Sequence, residues 1–281
     1  MRWKGNRESD MIEDRRGIST GKAVGGGGVG ILVIALVVML LGGDPSQVLN
    51  AAQGSPTQQS SNYQPTAQDK EIKEFVGVVL GETEDVWTEV LPKVGKVYRK
   101  PKLVLFSGQV QSACGMASAA VGPFYCGEDE TVYLDTSFFN EMSKRFNAAG
   151  DFARAYVVAH EVGHHVQKIT GTLDKVHRAR EQMDDAEYNA LSVRLELQAD
   201  FYAGVWAHYA RKDLELNEED VREAMVAADA IGDDKLQMQA QGYVVPDSFT
   251  HGTSEQRVRW FLKGWNSGSP SEGNTFQARQ L

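Results

Sequence analysis

Positive charge is scarce in this chain of 281 residues: 29 Lys and Arg stand against 38 Asp and Glu, a net charge of −9. Phosphate backbones need a basic surface, and no segment forms a basic stripe, so nucleic acid is excluded as the main partner. Cysteine is scarcer still. Cys114 and Cys126 are the only two, and both lie in one Gly- and Ala-rich stretch. A local pair of this kind suits one disulfide in an oxidising compartment; two unpaired buried thiols are the alternative. There is no internal repeat, which excludes a solenoid. What remains, 42% hydrophobic and 24% charged residues, is ordinary for a globular domain with a full core.

Charge is missing altogether between Ala23 and Gly43, a stretch of 21 residues. That length crosses a hydrocarbon core as a helix, and its Gly-rich first half is tolerated there because no water competes for the backbone. Residues 1–22 hold six Lys and Arg, and no further basic residue follows until Lys70. The positive-inside rule therefore makes 1–22 a cytoplasmic basic N-terminus and 23–43 a single transmembrane anchor, with the C-terminal bulk outside the cytoplasm. A cleaved signal peptide is the rival reading, although its charged leading region would be unusually long. Residues 44–68 are rich in Gln, Ser, Pro and Ala and read as a flexible linker. The folded domain is expected over 69–265, followed by a loose tail at 266–281.

Within that domain, Lys70–Val97 has helical spacing, and Leu103–Phe106 and Thr131–Asp135 read as strands. Thr136 or Ser137 caps a helix running to Lys144. The next helix spans Asp151–Thr170 and stops at Gly171. Another covers Asp185–Arg211 with an apolar stripe through Leu195, Ala199, Tyr202 and Trp206. Asn217 and Thr253 open two more. The expected class is α+β, mostly helical with a small sheet, preceded by one transmembrane helix.

The chemistry concentrates on two of these helices. His160 and His164 are four residues apart, so both imidazoles share one helical face and can bind one ion. Glu161 between them is rotated off the pair and can hydrogen-bond a metal-bound water as general base. Downstream, Glu196 and Asp200 also share a face, distinct from the apolar stripe. Glu196 supplies a third ligand; Asp200 can accept a hydrogen bond from a ligand imidazole, His160 above all, and fix its tautomer. The alternative is an acidic solvated face.

The run His160-Glu161-Val162-Gly163-His164, followed by Glu196-Leu197-Gln198-Ala199-Asp200, resembles the gluzincin pattern of HExxH plus ExxxD. The chain as a whole resembles the bacterial neutral zinc metallopeptidase family, from its Arg- and Gly-rich start through Cys114-Gly115, Phe124-Tyr125-Cys126 and Val132-Tyr133-Leu134-Asp135 to the segment from His251 to Phe261. The resemblance implies a zincin-like domain with one Zn2+ per chain that hydrolyses protein or peptide substrates. It also implies an inner-membrane protein with its catalytic domain in the periplasm. Related gluzincins place a His and an Arg near the C-terminus, which His251 and Arg257 match. His251 would then donate to the developing oxyanion; a turn histidine beside a surface arginine is the other possibility. Val132–Asp135 is either an edge strand that pairs with substrate or an interior strand. A zinc-stabilised envelope protein that binds partners without cleaving them is the competing function.

Overall fold

The computed structural model describes residues 1–17 and 63–281, apart from residues 119, 120, 147 and 149. The fold is mostly helical with a small mixed sheet. Its strands are β1 (Ile12–Asp14), β2 (Lys102–Phe106), β3 (Gln109–Ser112), β4 (Gly115–Ser118), β5 (Phe124–Cys126) and β6 (Thr131–Asp135). Its helices are α1 (Ala67–Val90), α2 (Ser137–Phe146), α3 (Asp151–Thr170), α4 (Thr172–Ala179), α5 (Asp185–Ala210), α6 (Glu218–Ala230), α7 (Asp233–Gln241) and α8 (Ser254–Ser267). The main sheet runs β1-β2-β6-β5, and β3 and β4 form a separate hairpin. β1 and β6 lie parallel to β2, whereas β5 is antiparallel to β6.

Local chemistry sets most helix ends. Thr66, Asp184, Asn217 and Thr253 each close a capping box with the residue three positions on, which satisfies donors that the first helical turn leaves unpaired. α3 begins and ends where its spacing predicts, with Gly171 left-handed at φ 82°. α1 stops at Val90, before the expected Val97, because Pro92 diverts the chain into a 3-10 turn. β6 is buried at all five positions and hydrogen-bonded on both sides. Val132–Asp135 is therefore interior, and the open edge on that side is β5.

The long helix α5 is the spine. α8 crosses it so closely that a Cβ on Gly204 would lie 2.0 Å from the Phe261 carbonyl oxygen, and one on Gly264 equally near that of Phe201. Only glycine at both positions lets the two backbones meet. Trp206, Phe201, Phe261, Phe152 and Trp87 fill the core around this crossing.

Two expected boundaries are corrected. Residues 1–17 do not stand apart from the domain. Trp3 is buried against Phe75, its indole N–H donating to Asp151 at 3.0 Å. Ile12, Glu13 and Asp14 pair with Leu103, Val104 and Leu105. The Arg16 guanidinium is buried, held by Asp14 at 2.6 Å and Asp69 at 3.2 Å. Nor is the tail loose: Thr275 is fully buried, and Arg194 and Gln198 donate to tail carbonyls. Both segments are polar in composition and held by hydrogen bonds to distant residues, which no local pattern announces. The expected span at 23–43 lies outside the described residues. Among the described residues, no helix is long and apolar enough to cross a membrane.

Candidate metal centre

α3 and α5 bring the metal-binding residue types together because one of the two variable positions in the HExxH run is glycine. A Cβ on Gly163 would lie 2.9 Å from the Ala199 carbonyl oxygen and 3.0 Å from its Cα. Small residues at 163 and 199 thus allow the helices to touch one turn from His160, His164 and Glu196. Nitrogens of the two rings and a carboxylate oxygen of Glu196 all lie within 4.8 Å of one another. Glu196 Oε2 is 3.1 Å from His160 Nε2, and Oε1 is 3.4 Å from His164 Nε2. The ring centroids are 4.9 Å apart.

Asp200 sits one turn beyond Glu196 and is wholly buried. It accepts from His160 Nδ1 at 2.8 Å and from the Tyr156 hydroxyl. Arg257 of α8 clasps the same carboxylate through Nε at 2.9 Å and Nη2 at 3.0 Å. Burial opposes the charge on Asp200, but Arg257 and His160 outweigh it and hold the carboxyl well below the usual range. Burial likewise disfavours a charged His160, yet Asp200 pushes its pKa up to about 10. With Nδ1–H given to Asp200, the ring's Nε2 faces an anionic oxygen and must carry either a proton or a cation. Two imidazole nitrogens and a carboxylate at this spacing suit zinc, whose binding would displace that proton.

Glu161 lies in the same buried pocket, 7% exposed. Desolvation pushes its pKa up, against the pull of both ring charges. Arg257 is only 2% exposed and points at Asp200, Tyr156 and the Ile231 carbonyl. It backs His160 from inside the fold. Its charge reaches His251 as expected, but the strong bidentate match to a buried carboxylate claims the guanidinium, in place of the expected action on substrate.

His251 is half-exposed and close enough for its charge to act on Glu196. Its loop is organised by Asp233, the first residue of α7, which accepts from the backbone N–H groups of Thr250, His251 and Gly252 at 2.6–3.1 Å. The same carboxylate takes a hydrogen bond from His251 Nδ1 at 3.2 Å. Asp233, Tyr156 and Gln167 are the residues that sequence reasoning missed. Tyr156 is four before His160 and Gln167 three after His164, so helical phase could have found both. Nothing local points to Asp233, which is 18 residues from its histidine.

Cys114 and Cys126 form a disulfide that ties the β3–β4 turn to the end of β5. With the two cysteines 12 positions apart in sequence, the closed loop adds about 2–3 kcal/mol in the chain-entropy account. His165 is not part of the metal cluster. It is fully buried and bonds the Tyr125 hydroxyl of β5 at 2.9 Å and the Arg99 carbonyl at 2.7 Å.

The profile of the family described as "Putative neutral zinc metallopeptidase" matches residues 1–276. The uncharacterized protein YpfJ of Escherichia coli K12 is 47% identical, over 98% of this chain and 99% of its own length. The uncharacterized protein Rv2575 of Mycobacterium tuberculosis H37Rv is 39% identical over 86% of each chain. No solved structure is significantly similar. With its two histidines and a glutamate gathered at one point and nearly its whole length matched, the chain belongs to the neutral zinc metallopeptidase family.

Proposed function

We propose that this protein hydrolyses peptide bonds with zinc held by His160, His164 and Glu196 and with Glu161 as general base. The observation that carries the proposal is the convergence of three ligand atoms within 4.8 Å beside a buried carboxyl that is not one of them. A purely structural zinc site has no use for such a carboxyl. When bound, the ion would supply Lewis acidity at the scissile carbonyl. Glu161, its proton affinity raised by burial, takes a proton from the attacking water and passes it to the leaving amine. His251, held by Asp233, donates to the oxyanion as it develops. Arg257 and Asp200 keep His160 in one orientation while charge moves.

An extended substrate would add to the open edge of β5 through backbone hydrogen bonds. β5 is tied to α3 by the Tyr125–His165 bond, so a strand laid there would run beside the metal helix. We place the domain outside the cytoplasm, because its disulfide suits an oxidising compartment.

Metal analysis of the purified full chain, followed by cleavage of an unfolded protein, tests the reading. One zinc per chain is expected. Glu161→Gln should retain that zinc and lose about 10²–10⁴-fold in turnover, whereas His160→Ala should lose both. A protein that binds zinc but in which Glu161→Gln changes no cleavage rate would be an envelope binding protein instead.

A further inference from the structure

The backing of His164 ends in the C-terminal tail. Gln198 donates from Nε2 to the Gly273 carbonyl at 2.7 Å, so its Oε1 must face inward. That oxygen accepts from Gln167 Nε2 at 3.2 Å, and the same nitrogen donates to the Leu195 carbonyl at 2.7 Å. A carbonyl can only accept, so two backbone carbonyls fix both amide orientations. Gln167 Oε1 is thereby left facing His164 Nδ1 at 2.9 Å. An amide oxygen has no proton to give, so Nδ1 must carry one, and the Nε2 lone pair is freed toward Glu196. Gln167 is fully buried and Gln198 is 6% exposed, so water does not offer a substitute. The tail packs closely there: a Cβ on Gly273 would lie 2.4 Å from the Phe201 ring.

We propose that Gln167 and Gln198 are positioning residues that couple the tail to the metal site by fixing the tautomer of His164. The inference rests on His164 being a zinc ligand. Zinc affinity, measured by competition with a chromophoric chelator, tests it on the full chain. Gln167→Met keeps the volume and removes the acceptor; affinity should fall about 10–100-fold. Gln167→Glu keeps an acceptor toward His164 and should bind zinc within a few-fold of the parent. Gln198→Leu removes the bonds to the tail and to Gln167 but leaves Gln167 on the Leu195 carbonyl and on His164, and should fall between them. Unchanged affinity in Gln167→Met, or an equal loss in Gln167→Met and Gln167→Glu, overturns the proposal. If Gln167→Met does not fold, Gln198→Leu decides: an affinity equal to the parent's in that variant overturns the proposal. A parent without zinc would defeat the ligand assignment itself, a separate result.

A different observation carries a second inference. Residues 1–17 are built into the domain, and the chain re-enters it at the same place: a Cβ on Gly17 would lie 2.1 Å from Tyr63 Cβ. We infer that residues 1–17 and 63–281 occupy one side of any membrane. The β1–β2 ladder, buried Trp3 and the Arg16 ion pairs all require it. Single cysteines at exposed Asp10 and Glu255, in the full chain with its native cysteines paired, should behave alike toward a membrane-impermeant maleimide in bacterial spheroplasts. Both labelled before lysis, or both only after it, supports the inference. Asp10→Cys and Glu255→Cys labelled from opposite sides overturns it.

Discussion

The two imidazoles that face Glu196 are supported in opposite ways. Behind His160 lies charge: Asp200, Arg257 and the Tyr156 hydroxyl, all sealed from water. Behind His164 lie two neutral amides and a strip of backbone. A buried ion pair is held in place by the penalty of separating it, since each partner alone would be a stranded charge. A neutral relay carries no such penalty and is held by geometry alone. The first arrangement makes His160 strongly basic and rigid; the second lets His164 answer to a distant segment of chain.

The sharpest way to break this contrast is Asp200→Ala. It leaves the Arg257 guanidinium buried without a counter-charge and should lower stability by about 3–5 kcal/mol, read by urea denaturation of the metal-free protein. Replacing both partners, Asp200→Leu with Arg257→Leu, removes the stranded charge. The double variant should recover to within ~1–2 kcal/mol of the parent while zinc affinity stays low, because His160 still lacks its acceptor. Stability losses that simply add would contradict the account. Tyr156→Phe deletes two hydrogen bonds on the charged side only, the one given to Asp200 and the one accepted from Arg257, and about 2 kcal/mol should be lost. Glu82 of α1 provides a control outside both shells. Burial, with Asp213 and Asp85 nearby, pushes its pKa up to about 7. The folded state therefore binds more protons than the unfolded one between its ordinary value and about 7, and stability falls as pH rises through that window. Glu82→Gln should gain about 1 kcal/mol at pH 8, after allowance for solvent screening, and nothing at pH 4.

The helices of the metal centre were legible because their signals are local. Four-residue spacing puts His160 beside His164 and Glu196 beside Asp200, and a capping box marks where α5 opens. Their close approach was legible only in hindsight, since Gly163 and Ala199 look like filler until the other helix is present. β1 is three residues, two of them acidic, and becomes a strand only by pairing with β2. The tail is read as loose for the same reason: its partners, Arg194 and Gln198, lie far away in sequence. Arg257 matched a sequence pattern by position, but its direction is decided by a carboxylate on another helix.

β2 carries the run Lys-Leu-Val-Leu-Phe, with its last four residues buried. A bare, proline-free apolar strand of this kind is a template on which other chains stack into fibres. β1 lies along that flank and replaces it with a short charged border, Glu13 and Asp14 paired with Arg15 and Arg16, which is a poor template for a further strand. The first residues of this protein thus act as a guard against self-association, and a chain stripped of them should precipitate while its metal ligands are still intact.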